Sequence, residues 1–325
     1  MKLHEDKVRF YDAILMTSQM FKIPEIYIEK DYWVTVALYE IFHSRMAMQA
    51  VFKGGTSLAK CYKIIERFSE DVDIVVICKE GETDNQRKSK IRKIGKLVEK
   101  IMPEITVNGL TNKKGNIRKT AHQYNRIFNA DFKQVEESVV LEISWLGNSE
   151  PFIKNSIDCY ISEMMQKKGL EDLLKEYKLE PFPVQVLGIE RTFCEKILSL
   201  VRFSNTDHPY NDLANKIRHV YDIHLMLTAS KNKDFFNSIN FDNMLIKVGG
   251  DDLKSYKNTN KWLDKHPSEA LIFVDPEGTW KKIRSTYNSS FKDLVMGDIP
   301  AENSILDTLK TISKRLKSIS WHLRK

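Results

Sequence analysis

Four cysteines in 325 residues (Cys61, Cys78, Cys159 and Cys194) are too few and too scattered for a disulfide framework, and no pair has metal-ligand spacing. A reducing cytoplasm is the expected setting. Long hydrophobic runs are also missing. The most apolar stretches, Tyr32 to Phe42 and Ser138 to Leu146, fall short of the ~18 residues a membrane span requires. The first seven residues are charged and lack the apolar centre of a secretory signal. Glycine and proline are sparse, at 13 and 9, and no repeat or low-complexity block interrupts the chain. The eight histidines form no ligand pattern: His219 and His224 are five apart, not the three or four that share a helix face. What is abundant is charge of both signs. Lys+Arg number 51 and Asp+Glu 44, giving a net +7, with 42% hydrophobic residues. This is the composition of a soluble globular chain, long enough for about two domains at ~150 residues each.

Apolar residues at three- and four-residue spacing predict helices over 5–21 and 27–43. Ala50 to Phe52 leads into Gly54-Gly55-Thr56-Ser57, and a helix is expected over Leu58–Ile65. Asp71 to Ile77 is β-branched and reads as a strand. Lys88 to Ile101 reads as a basic amphipathic helix, Leu110 to Thr120 as a basic turn or hairpin, and Tyr124–Phe132 and Ser138–Trp145 as strands. After Pro181-Phe182-Pro183 only helices are expected: 191–203, 212–228, 234–248, 279–296 and 301–323. Strands mixed with helices, then helices alone, predict an α/β (α+β) domain over 1–185 and a helical domain over 186–325.

The most informative stretch is Gly54-Gly55-Thr56-Ser57-Leu58-Ala59-Lys60 followed by Arg67-Phe68-Ser69-Glu70-Asp71-Val72-Asp73. On a strand, residues i and i+2 share a face, so Asp71 and Asp73 would project two carboxylates side by side. Such a pair repels itself, and a hard divalent cation removes the repulsion. The Gly-Gly turn lets backbone approach an anion, and the Thr and Ser hydroxyls add donors. A phosphate cradle beside a metal-binding pair is what phosphoryl or nucleotidyl transfer requires. Either half alone is common in unrelated proteins. Their order and spacing carry the reading.

These residues resemble the nucleotidyltransferase fold of the DNA polymerase β superfamily, in which a Gly-Gly or Gly-Ser turn precedes an Asp-x-Asp strand. The stretch is more specifically similar to the AbiEii/AbiGii toxin family. Glu29-Lys30-Asp31-Tyr32-Trp33-Val34-Thr35, Arg191 to Leu198, and Arg218-His219-Val220-Tyr221-Asp222-Ile223 add to that likeness. The resemblance implies a mixed sheet flanked by helices, with an NTP as substrate and Mg²⁺, or Mn²⁺ in its place, as cofactor. It implies nucleotide binding by Gly54, Gly55, Thr56, Ser57, Arg67, Ser69 and Lys196. Metal binding would fall to Asp71 and Asp73 with a third carboxylate. Glu142, a lone acid in an apolar strand, is the first candidate for that role and Asp131 the second. Glu142 could instead lie on the solvated face of an edge strand. By the same resemblance, Asp222 orients Lys196 or helps activate the acceptor; an ion pair with Arg218 is its plainer reading. Arg67 assists the phosphates or pairs with Glu70. Lys53 and Lys60 are expected to be solvated, and Tyr32, Trp33, Tyr62 and Phe68 to pack in the core.

The resemblance further implies a toxin of a toxin–antitoxin, abortive-infection system, with a cognate antitoxin and a tRNA 3′ end as acceptor. A protein or small-molecule hydroxyl, or binding without turnover, are the alternatives. Positive charge is concentrated in two places that an RNA would suit. Arg87 to Lys119 holds eleven Lys+Arg against two Glu, and the residues after Asp307 hold six and no acid. Either could equally be a solvated helix face or an antitoxin contact.

Overall fold

In a computed structural model, which describes residues 1–113, 115–128, 137–256 and 259–323, the chain divides into two compact units. One comprises Met1–Lys63 with Phe68–Leu187, and the other Ile64–Arg67 with Gly188–Lys325. The short Ile64–Arg67 excursion has no counterpart in the sequence-based division at residue 185.

The first unit opens with helices α1 (Lys7–Phe21), capped by the Asp6 carboxylate on the Arg9 N–H, and α2 (Glu25–Phe42). Helix α2 is buried nearly all round, including Ile28, Val36, Leu38 and Ile41, as befits a helix at the centre of a core. Tyr32 and Trp33 pack there, and Phe68 stacks on Tyr27 with ring centroids 4.4 Å apart. Then follow β1 (Ala50–Lys53), α3 (Gly54–Lys60), β2 (Val72–Val76), α4 (Asp84–Glu99), β3 (Glu104–Ile105), β4 (Ile117–His122), β5 (Val139–Ser144), β6 (Phe152–Ile157), α5 (Tyr160–Lys167), α6 (Glu171–Glu176) and β7 (Phe182–Leu187). Helix α4 begins at a Thr83–Gln86 capping box and buries Ile91, Ile94 and Val98. Among the described residues the strands form one mixed sheet in the order β3-β4-β5-β2-β1-β7-β6. β2 runs parallel to β5 and β1 parallel to β7, while the remaining neighbours are antiparallel.

Several expectations are corrected. The helix expected over Leu58–Ile65 starts at Gly54 and ends at Lys60; Lys63 then adopts φ 52°. Residues 124–128 form no strand, and the rest of the expected Tyr124–Phe132 strand extends beyond the described residues. The strand beside β5 is instead β4, built from the second arm of the segment read as a basic hairpin, with Asn112 bridging Lys119. Pro183, taken as a boundary signal, lies inside β7, three residues before that strand meets β1 at Val186.

The second unit is helical, with α7 (Ile189–Phe203), α8 (Pro209–Asn215), α9 (Ile217–Thr228), α10 (Ser230–Phe236), α11 (Ile239–Ser255), α12 (Leu271–Val274), α13 (Pro276–Thr286) and α14 (Glu302–Leu316). Phe193, Phe236 and Phe241 form an aromatic cluster in its core. The helix expected over 212–228 is broken at Lys216, the one over 279–296 ends in a wider turn at Tyr287–Phe291, and the one over 301–323 stops at Leu316.

Candidate active site

The first unit gathers its chemistry on one rung of the sheet. Across β1, β2, β5 and β4 the register aligns Lys53 with Asp73, Asp73 with Glu142, and Glu142 with Lys119. Two carboxylates therefore stand at the centre, flanked by a lysine on each side. Their strand neighbours Val72, Ile74, Leu141 and Ile143 are buried, so alternation turns Asp73 and Glu142 to the other, wetter face. β5 lies between β2 and β4, so Glu142 is not on an edge strand. Lys119 Nζ lies 3.9 Å from Glu142 Oε2. Asp71 sits one residue before β2 and adds a third negative charge.

This crowding shifts Asp73. Burial, followed by the charges of Glu142 and Asp71, pushes its carboxyl up to about 7, against the pull of Lys53 and Lys119. Gly54 closes the arrangement. Its φ of 80° is costly for other residues, and a Cβ there would lie 2.0 Å from Asp73 Oδ2. The glycine turn and the strand carrying Asp73 are thus in direct contact. The Thr56 hydroxyl donates to the Asp71 carbonyl (2.6 Å) and lies 3.0 Å from Ser69 Oγ; Ser57 Oγ donates to the Gly54 carbonyl (2.8 Å). These hydroxyls brace the turn internally, so what residues 54–57 can offer an anion is the unpaired N–H groups of the first helical turn.

A divalent cation fits this donor set in a particular way. Among the described residues no group of three His, Cys, Asp or Glu side chains is arranged to hold a metal unaided, so Asp71, Asp73 and Glu142 are not a closed cage. Mg²⁺ commonly takes one or two carboxylates and completes its shell with substrate phosphate and water, which the Asp71–Asp73 pair suits. Asp131 lies outside the described residues.

The second unit holds a buried ionic cluster. Arg67 grips Asp222 with two bonds, Nε to Oδ1 at 2.7 Å and Nη2 to Oδ2 at 2.8 Å, and Lys196 Nζ reaches the same Oδ2 at 2.7 Å. Asp222 is fully buried. Burial alone would raise its carboxyl, but Arg67 and Lys196 outweigh this and hold it well below the usual carboxylate range. Two of the three Lys196 N–H donors are not needed for Asp222. One helical turn before Asp222, His219 has a buried Nδ1 with no hydrogen-bond partner, and burial together with Lys196 and Lys216 pushes its imidazole well below its ordinary value. From sequence, His219 appears only within the Arg218–Ile223 stretch and in no ligand pattern, although an i, i+3 relation to Asp222 puts both on one helix face.

Three residues read otherwise from sequence are relocated. Lys60 is buried, pairing with Asp31 Oδ1 at 2.5 Å and donating to the Asp158 carbonyl at 3.0 Å. Lys53 and Lys119, one expected to be solvated and the other part of a basic run, join the carboxylate rung. Only strand register reveals them.

A mixed sheet carrying an Asp-x-Asp strand against a glycine turn, with a separate Lys–Asp cluster on helices, defines a nucleotidyltransferase class of architecture. Over residues 36–308 the chain matches the family model described as nucleotidyl transferase AbiEii toxin, type IV toxin–antitoxin system, and it belongs to that family. It is accordingly a nucleotidyltransferase toxin, and the family implies an antitoxin partner. The match begins just after the Glu29–Thr35 stretch. A structural likeness is found to MenT4, a nucleotidyltransferase toxin from Mycobacterium tuberculosis H37Rv, over 94% of this chain and 96% of that one, with 15% identity and a TM-score of 0.45. No curated protein sequence matches. Among the described residues no helix is long and apolar enough to cross a membrane.

Proposed function

We propose that the chain transfers a nucleoside monophosphate from an NTP to a hydroxyl at the 3′ end of tRNA, releasing pyrophosphate. The observation that carries this is the Lys53–Asp73–Glu142–Lys119 rung with Gly54 against Asp73. Backbone N–H groups at Gly54, Gly55, Thr56 and Ser57 bind the phosphates, with Ser69 bracing the turn. Mg²⁺, or Mn²⁺, held by Asp71 and Asp73 supplies charge neutralisation on those phosphates when bound. Glu142 accepts the proton of the acceptor hydroxyl, whose oxygen bonds to the α-phosphorus as the bond to the β-phosphate bridge breaks. Within the second unit, Asp222 with Arg67 fixes the Lys196 ammonium, whose need in the transfer is read from the Lys196→Ala variant. The acceptor reading is supported by the basic face of α4. Growth arrest, a cytoplasmic setting and a role in phage defence are parts of the same proposal.

Incubating the protein with each α-labelled NTP, a divalent cation and either total tRNA or total protein tests this. Label should enter RNA with the parent chain and not with Asp71→Ala or Lys196→Ala, and induction of those variants should permit growth. Label in protein or in neither pool contradicts the acceptor. Variants as active as the parent contradict the mechanism.

A further inference from the structure

Glu29, Lys30 and Asp31 are three consecutive charged residues of α2, yet they are only 1%, 0% and 8% exposed. Charged side chains are almost never buried unless paired. Each of these engages a different segment of the first unit. Glu29 accepts the N–H groups of Ile127 (2.7 Å) and Phe128 (3.0 Å). Lys30 donates to the Ser138 carbonyl at 2.5 Å and pairs with Glu70 at 3.1 Å. Asp31 pairs with Lys60 and accepts the Tyr160 N–H at 2.9 Å. Successive helical residues point about 100° apart, so one turn reaches in three directions.

The engaged positions bracket the candidate site. Glu70 immediately precedes Asp71. Ser138 immediately precedes β5, which carries Glu142. Lys60 closes α3, which opens at Gly54 against Asp73. Stability alone does not call for such groups, because apolar replacement of a buried ion pair is often neutral or stabilising. What the pairs add over apolar packing is direction: each fixes one backbone point relative to α2.

We propose that Lys30–Glu70 and Asp31–Lys60 are positioning pairs that hold the Asp71–Asp73 strand, the Glu142 strand and the glycine turn at the spacing a divalent cation and a phosphate require. The role of the positioned groups rests on the nucleotidyl-transfer reading; the clamp itself does not.

The test uses the full chain and a charge-neutral double variant, Lys30→Met with Glu70→Met, with Lys30→Arg as the conservative control. Hydrogen exchange is followed by mass spectrometry, and Mn²⁺ binding by the electron paramagnetic resonance signal of the free ion. The double variant should melt close to the parent, yet exchange faster at 69–76 and 138–144 while 152–157 and 182–187 stay unchanged. Its Mn²⁺ affinity should fall by about tenfold, as for other groups that orient metal ligands, and Lys30→Arg should recover most of it. Parent-like exchange at 69–76 and 138–144, or uniformly faster exchange, overturns the proposal. So does parent-like Mn²⁺ binding by the double variant. If the parent binds no Mn²⁺, the metal reading falls and exchange alone decides the clamp. Should the double variant not fold, Asp31→Asn is read in the same way at 54–60; if that also fails to fold, the residues are fold determinants and positioning is refuted.

Discussion

At the scale of single residues, Gly54, Asp73 and Asp222 carry the chemistry. Gly54→Ala introduces both a strained φ and a Cβ 2.0 Å from Asp73 Oδ2, so the turn and the carboxylate must separate. Displacements of about an ångström at a reacting centre cost on the order of 10²-fold in rate, and we expect at least that loss in the labelled-NTP assay with the fold retained. Asp73 yields a pH prediction. Its raised carboxyl binds a proton more tightly in the folded chain than in the unfolded one. Its stabilising effect is therefore complete below about pH 4 and is lost as pH rises through about 7. Asp73→Asn should melt higher than the parent at pH 8 without divalent cation, and the gap should shrink at pH 5 or on adding Mn²⁺. Asp222 has the opposite sign. Held low by Arg67 and Lys196, it stabilises above about pH 4 and fails as pH falls further. Asp222→Ala strands two buried cations, at a cost of about 3–5 kcal/mol and a melting point lower by about 10 °C.

At the scale of elements, what the sequence disclosed and what it hid divide along local and non-local lines. The strand carrying Asp71 and Asp73 was legible because β-branched residues surround the pair, and the glycine turn because two glycines adjoin two hydroxyl residues. β4 was not legible. Ile117 to His122 is largely polar, and its place beside β5 depends on pairing with a strand some twenty residues away. β7 was hidden by Pro183, which the sheet tolerates ahead of the contact with β1. Lys60 looked like a surface lysine because its partner Asp31 is 29 positions upstream. The internal use of the Thr56 hydroxyl was equally invisible, since its acceptor, the Asp71 carbonyl, becomes a neighbour only once β2 docks. Helix α4 offers a further test. Ile91, Ile94 and Val98 face inward, while Lys88, Arg92, Lys96 and the adjoining Lys100 recur every four residues, about 6 Å apart along the helix. Replacing all four with Gln should weaken RNA binding and flatten its dependence on log salt by about 3, at ~0.7 per single-strand phosphate contact, leaving the melting point unchanged.

For the whole molecule, a net charge of +7 says little, because its distribution is uneven. In the first unit it resolves into a carboxylate centre between two lysines and a basic helix. The second contains a buried Arg67–Asp222–Lys196 cluster, in which two cations share one carboxylate. Family membership makes the chain a nucleotidyltransferase toxin, while substrate and acceptor rest on the chemistry of these groups. The most direct measurement is transfer from an α-labelled NTP into total RNA by the full chain with Mg²⁺, compared with Asp71→Ala. The parent should yield labelled tRNA with equimolar pyrophosphate, and the variant neither product. Pyrophosphate release with no labelled RNA, or equal labelling by Asp71→Ala, would contradict the proposed transfer.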